Sequence, residues 1–94
     1  MTRRRYLIAY DIRDERRLRR VCKLMEGHGT RLQYSVFLCD LSDRELLIWR
    51  SDIVQLMELE LDSVVYVDLG GVGATNVEVI GAPRQFPHTG PMIV

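Results

Sequence analysis

The chain has 94 residues, the length of one small domain whose core is thin relative to its surface. Its 13 basic and 13 acidic side chains cancel, but they are segregated: residues 1–39 carry ten Lys and Arg against four Asp and Glu, whereas residues 40–94 carry three against nine. No apolar run reaches membrane-span length, no leader pattern stands at the start, and Cys22 and Cys39 form no CxxC motif, which excludes zinc and iron–sulfur patterns and makes a cytoplasmic protein with reduced thiols the expectation, although one disulfide is also compatible with the sequence. The charge segregation has two readings. Either the basic half binds an anionic polymer, or the two halves pair with each other in the fold.

Thr2 to Arg5 is a basic arm leading into Tyr6-Leu-Ile-Ala-Tyr-Asp11. Five apolar residues in a row predict a buried strand, and Asp11 falls at its C-terminal end, where the chain meets solvent. Beyond Asp11 come Arg13, Arg16, Arg17, Arg19 and Arg20. A carboxylate facing several guanidiniums fits a divalent metal with phosphates held around it. The plainer reading is a turn or cap residue. Asp14 is a good N-cap for a helix over Glu15–Glu26, in which Leu18, Val21, Cys22 and Met25 define one buried stripe. Gly27 and Gly29 predict a left-handed exit.

Thr30 to Leu41 contains no Gly or Pro and alternates with a period of two. The expectation is an apolar face of Leu32, Tyr34, Val36 and Leu38 on the core, with Arg31, Gln33, Ser35, Phe37 and Cys39 on a mixed face. Twelve residues is long for one strand, so a break near Gln33 to Ser35 giving two strands is plausible. Phe37 on the mixed face can stack on a base or pack in a dimer. Ser42-Asp-Arg-Glu45 is a capping box opening a helix that runs to about Leu59, with Leu46, Trp49, Ile53, Leu56 and Met57 buried.

Ser63 to Leu69 is a β-branched strand, and Gly70-Gly-Val-Gly73 reads as a turn because no helix follows to make a phosphate loop. Asp68, at that strand's end, is a plain strand-end residue or a second metal carboxylate. Asn76 to Ile80 is a further short strand, and the tail holds three prolines before Met92-Ile-Val94. His28 suits the carbonyls at the end of the first helix, and nothing specific supports a role for His88. The element order predicts an α+β sandwich, with an edge strand and apolar tail suited to dimerisation.

Tyr10-Asp11-Ile12, the arginine-rich helix running to Val21, and Gly29-Thr-Arg-Leu-Gln-Tyr-Ser-Val-Phe37 resemble the Cas-two (Cas2) family, small CRISPR-associated nucleases of the spacer-acquisition machinery. The Arg-x-Gln-x-Ser-x-Phe run is the distinctive part. Val77 to Gly81 and the late Ile93-Val94 look like the family's C-terminal ending, so the resemblance spans nearly the whole chain. It implies a ferredoxin-like βαββαβ domain over residues 1–81, with a tail over 82–94 whose strand packs on the partner protomer of a homodimer.

The resemblance further implies that Asp11 of each protomer is catalytic and shares one Mg²⁺ or Mn²⁺ with its counterpart. Tyr10, Arg17, Arg31 and Phe37 match positions the family associates with activity or substrate contact, and Ser35 matches one near the interface. Where many members carry a second arginine this chain has Leu18, and Arg16, Arg19 and Arg20 stand ready to replace it as nucleic-acid contacts. The implied function is a metal-dependent endonuclease of RNA or double-stranded DNA in CRISPR adaptation. The alternative is a non-catalytic dimeric scaffold that binds duplex DNA and bridges integrase subunits.

Overall fold

A computed structural model describes residues 2–82 and the backbone of 92–93. Strand β1 (Arg4–Asp11) is the centre of the architecture and is paired on both sides. Its side chains alternate: Tyr6, Ile8 and Tyr10 are buried under the helices, while Leu7, Ala9 and Asp11 stand on the opposite face. The two-residue period of a pleated strand produces this division.

Helix α1 (Glu15–Glu26) starts where Asp14 accepts the Arg17 N–H at 3.0 Å, and helix α2 (Asp43–Leu56) starts on a complete Ser42–Glu45 capping box. Between them lie β2 (Thr30–Gln33) and β3 (Val36–Leu41), so the break expected near Gln33 to Ser35 is present. Strand β4 (Ser63–Gly71) follows α2, and the order β2-β3-β1-β4 with every neighbour antiparallel is the ferredoxin-like arrangement. Two short strands, β5 (Glu78–Val79) and β6 (Met92–Ile93), pair in parallel with each other. The rest of the tail expected to pack on a partner lies outside the described residues.

The core sits between the sheet and the two helices. Val21 and Met25 of α1 and Trp49 and Ile53 of α2 close over Tyr6, Ile8, Tyr10, Phe37, Cys39 and Leu41. Trp49 ties the helices together, because its indole Nε1 donates to the Met25 sulfur at 3.2 Å. Full burial of such side chains contributes about 1.5–3 kcal/mol each.

Four expectations are corrected. Phe37 and Cys39, assigned to a mixed face, are the core-facing residues of β3, whereas Tyr34 is exposed and Leu38 faces away from the helices. The register explains it: Phe37 lies opposite Ile8, so both point under the helices. Gly27 caps α1 with φ −77°, and neither it nor Gly29 is left-handed. Gly29 is glycine for a different reason, since a β-carbon there would collide with the Leu38 carbonyl and the Cys39 sulfur. Helix α2 ends at Leu56 rather than Leu59, because the Glu58 N–H turns to the Asp62 carboxylate at 2.8 Å.

The turn expected at the glycine cluster is present, with Gly70 and Gly73 at φ 93° and 90° and the Ala74 N–H donating to the Gly71 carbonyl at 2.9 Å. The face of the sheet away from the helices is apolar and incompletely covered: Val65 and Val67 of β4 are 59% and 45% exposed there. Among the described residues no helix is long and apolar enough to cross a membrane.

Candidate functional site

One end of the sheet gathers the polar groups. Asp11 closes β1 there, the β2–β3 turn is held to it by Tyr10 N–H donating to the Ser35 carbonyl at 3.1 Å, and Ser63 opens β4 directly opposite Asp11. The Asp11 side chain is 68% exposed, and the only described cation near it is Arg13, whose Nε lies 3.8 Å from Oδ2. An exposed pair at that distance adds little to stability. The fold therefore does not need the Asp11 carboxylate, which is left available to solvent or a ligand.

Beneath this surface lies a very different carboxylate. Asp62 has a side chain with 0% exposure, in the α2–β4 connection. Its Oδ2 accepts from Arg17 Nε and from the Glu58 N–H, both at 2.8 Å, and its Oδ1 accepts from the Arg13 N–H at 2.9 Å and from Arg17 Nη2 at 3.1 Å. Four donors on two oxygens satisfy an ionised carboxylate. The Arg17 guanidinium, ahead of the two backbone amides, holds its carboxyl far below the usual carboxylate range against the opposing effect of burial. Sequence reasoning missed Asp62 altogether. An Asp before a strand signals only a turn, and nothing local links it to an arginine in the first helix.

The arginines divide into two groups. Arg3 pairs with Glu45, Arg4 with Asp68, Arg5 with Asp40 and Arg17 with Asp62, so much of the basic first half is paired with the acidic second half. Arg16, Arg19 and Arg20 are exposed on α1 and form no ion pair among the described residues. The pairing of the two halves thus accounts for some of the arginines, and it leaves Arg16, Arg19 and Arg20 on the surface. Arg17, expected at nucleic acid, has its Nε and Nη2 engaged by a buried carboxylate.

Tyr10 and Phe37 also have partners inside the domain. Phe37 is 0% exposed and Tyr10 is buried, their rings stacked with centroids 6.2 Å apart, so neither can reach a base in this fold. The Tyr10 hydroxyl lies 3.0 Å from the Cys22 sulfur, and burial first, then that contact, raises its pKa. Arg31 is partly buried, its guanidinium carbon 5.2 Å from the centre of the Phe37 ring, and its Nε has no hydrogen-bond partner among the described residues. These three residues lie on the helix side of the sheet, one layer away from Asp11. Asp68 cannot join Asp11 either, since it pairs with Tyr6 at the other end of the β1–β4 ladder, about 17 Å along the strand.

Among the described residues no three His, Cys, Asp or Glu side chains converge as a metal site. One chain offers Asp11 alone. That suits Mg²⁺, which binds through one or two carboxylates, keeps waters and takes substrate phosphate oxygens, but it does not make a closed cage.

A ferredoxin-like sheet that ends in a solvent-facing aspartate, beside a helix whose arginines Arg16, Arg19 and Arg20 form no ion pair among the described residues, defines a small α+β protein with a basic helix next to an exposed carboxylate. The chain belongs to the CRISPR associated protein Cas2 family, whose sequence profile matches residues 4–76. It is 38% identical over 89 residues to the CRISPR-associated endoribonuclease Cas2 3 of Synechocystis sp., covering 95% of this chain and 97% of that one. It is 47% identical over 82 residues to the CRISPR-associated endoribonuclease Cas2 2 of Thermodesulfovibrio yellowstonii, covering 87% and 88%. The crystal structure of a hypothetical protein TT1823 from Thermus thermophilus matches with a TM-score of 0.78 at 34% identity, over 88% of this chain and 96% of that one.

Proposed function

We propose that this chain is a homodimeric endonuclease of CRISPR adaptation that hydrolyses phosphodiester bonds in RNA or double-stranded DNA with Asp11 as its metal-binding, catalytic carboxylate. The observation that carries this reading is the contrast between Asp62, saturated by four donors, and Asp11, exposed at the end of the central strand with only a loose 3.8 Å pairing to Arg13 among the described residues. The names of the relatives support a nuclease.

Asp11 would hold Mg²⁺ or Mn²⁺, which supplies charge neutralisation at the scissile phosphate and an activated water. Arg13 screens Asp11 while no phosphate is bound and offers a guanidinium when one arrives. Arg16, Arg19 and Arg20 line the exposed surface of α1 as backbone contacts, and Arg31 sits at the sheet edge. The apolar face with the exposed Val65 and Val67, together with the outer edge of β4, which pairs with no other described strand, supports a second protomer packing there, with residues 82–94 contributing to that contact. A second Asp11 then supplies the second carboxylate.

The absence of a ligand cluster within the described part of one chain favours a second reading. Here the dimer is a non-catalytic scaffold in the cytoplasm that clamps duplex DNA with its α1 arginines and bridges integrase subunits. One assay separates the two: labelled duplex DNA and single-stranded RNA, wild type against Asp11→Ala, with Mg²⁺, Mn²⁺ or EDTA, and light scattering for the dimer. Cleavage that requires both metal and Asp11 is the expected result. Tight, salt-sensitive binding by both proteins without cleavage would establish the scaffold instead.

A further inference from the structure

We propose that Asp62 is a positioning residue for Asp11, fixing the segment Asp11-Ile12-Arg13 from both ends. The inference rests on the reading of Asp11 as the reactive carboxylate. At the far end of the segment the Arg13 N–H donates to Asp62 Oδ1 at 2.9 Å. At the near end Asp11 pairs in the β1–β4 ladder with Ser63, the residue next to Asp62. Between them Ile12 is buried in the core, which anchors the middle. Three residues of chain are therefore held by a ladder rung, an apolar anchor and a charge-assisted hydrogen bond, which lead to Ser63 at the start of β4, to the core, and to Asp62 just before β4.

Arg17 completes the device. Its fork meets both Asp62 oxygens, at 2.8 and 3.1 Å, so the carboxylate cannot rotate about its own axis without breaking a bond to α1. The Glu58 N–H closes the last direction at 2.8 Å. An exposed carboxylate at a strand end ordinarily samples several orientations relative to its neighbours. A metal ligand gains from having its backbone fixed, because supporting contacts of this kind commonly change metal affinity or activity by about 10–100-fold. A side chain with no access to solvent cannot touch substrate, so its effect on the reaction must pass through the segment it holds.

The test compares Asp62→Asn and Asp62→Glu with wild type and Asp11→Asn, at a temperature where circular dichroism shows each protein folded. Asp62→Asn removes the charge and leaves Arg17 unpaired. Asp62→Glu keeps the charge but moves the carboxylate by one methylene, and it stands in if Asp62→Asn does not fold. Four quantities are read: kcat and KM for cleavage, the Mn²⁺ concentration that half-broadens the Asp11 amide signal, and the hydrogen-exchange rate of the Arg13 amide.

The expected result is roughly a tenfold or larger fall in kcat with KM within about twofold, a rightward shift of the Mn²⁺ titration, and faster Arg13 exchange. A folded Asp62→Glu protein with wild-type kcat and an unchanged Mn²⁺ titration overturns the positioning role while leaving Asp11 in place as the reactive group. Wild-type protein that neither cleaves in an Asp11-dependent way nor broadens at Asp11 overturns the reading of Asp11, and the positioning role with it.

Discussion

Tyr10 and Asp11 are neighbours on one strand and belong to different worlds. Tyr10 points under the helices, stacks on Phe37 and meets the Cys22 sulfur, while Asp11 points away and, among the described residues, pairs with Arg13 alone, at 3.8 Å. The helix-side residues Tyr6, Ile8, Tyr10 and Phe37 are packed into a core. The opposite face is apolar in its middle and charged at its end. The pleat alone makes this separation, so one residue of register decides whether a side chain stabilises the domain or faces a ligand.

The contrast can be broken most sharply at Asp11. Asp11→Ala is expected to reduce metal-dependent cleavage by at least about 100-fold. Its stability should stay within about 0.5 kcal/mol of wild type in urea unfolding, because the carboxylate is an exposed group without a structural partner of consequence. The converse applies to Phe37. Phe37→Ala leaves a cavity under both helices and should cost about 3–5 kcal/mol in the same experiment, while the protein that remains folded binds nucleic acid with unchanged affinity. A Phe37 variant that keeps its stability but loses binding would return this residue to the interface.

The role of Asp62 can be tested by pH. Asp62 has a folded pKa below its unfolded value of about 4, so in that range the unfolded chain binds the extra proton. Its contribution to stability is complete above about pH 4 and shrinks as the pH falls towards the folded value. Asp62→Asn should be less stable at neutral pH and show a flatter loss below pH 4, measured by urea unfolding across the acid range. Smaller effects are expected at the α1 surface. Replacing Arg16, Arg19 or Arg20 singly with Ala should lower the salt slope of nucleic-acid binding by about one if each neutralises one phosphate. The smallest change concerns Cys39, whose thiol burial pushes up to about 12, so it should not react with a thiol reagent at pH 8 until the protein unfolds.

Much of this fold could be read from the residues themselves. Leu18, Val21, Cys22 and Met25 at helical spacing, Asp14 at a cap and the Ser42–Glu45 box mark both helices, because each of those signals is local. The phase of β3 could not be read in the same way. Leu38 and Phe37 are both apolar and both buried, one on each face, so alternation gave no preference for which side meets the helices. Asp11 was legible as an exposed end of an apolar run. The partnership of Arg17 with Asp62 was not, since it joins positions 45 apart and exists only after the chain has folded. Tyr10, Arg17 and Phe37 were therefore assigned to a ligand when each has a partner inside the domain.

Gly27 and Gly29 stand two positions apart and have opposite tolerances. A methyl group at Gly27 would meet the Leu24 carbonyl at 3.4 Å, an ordinary contact, whereas at Gly29 it would occupy the place of the Leu38 carbonyl and the Cys39 sulfur. In a saturation library the first position should accept most substitutions and the second almost none. Gly29 then acts as a spacer of zero width: it sets how closely the edge hairpin approaches the helix end, and any side chain there would wedge open the seam on which the Phe37 layer closes.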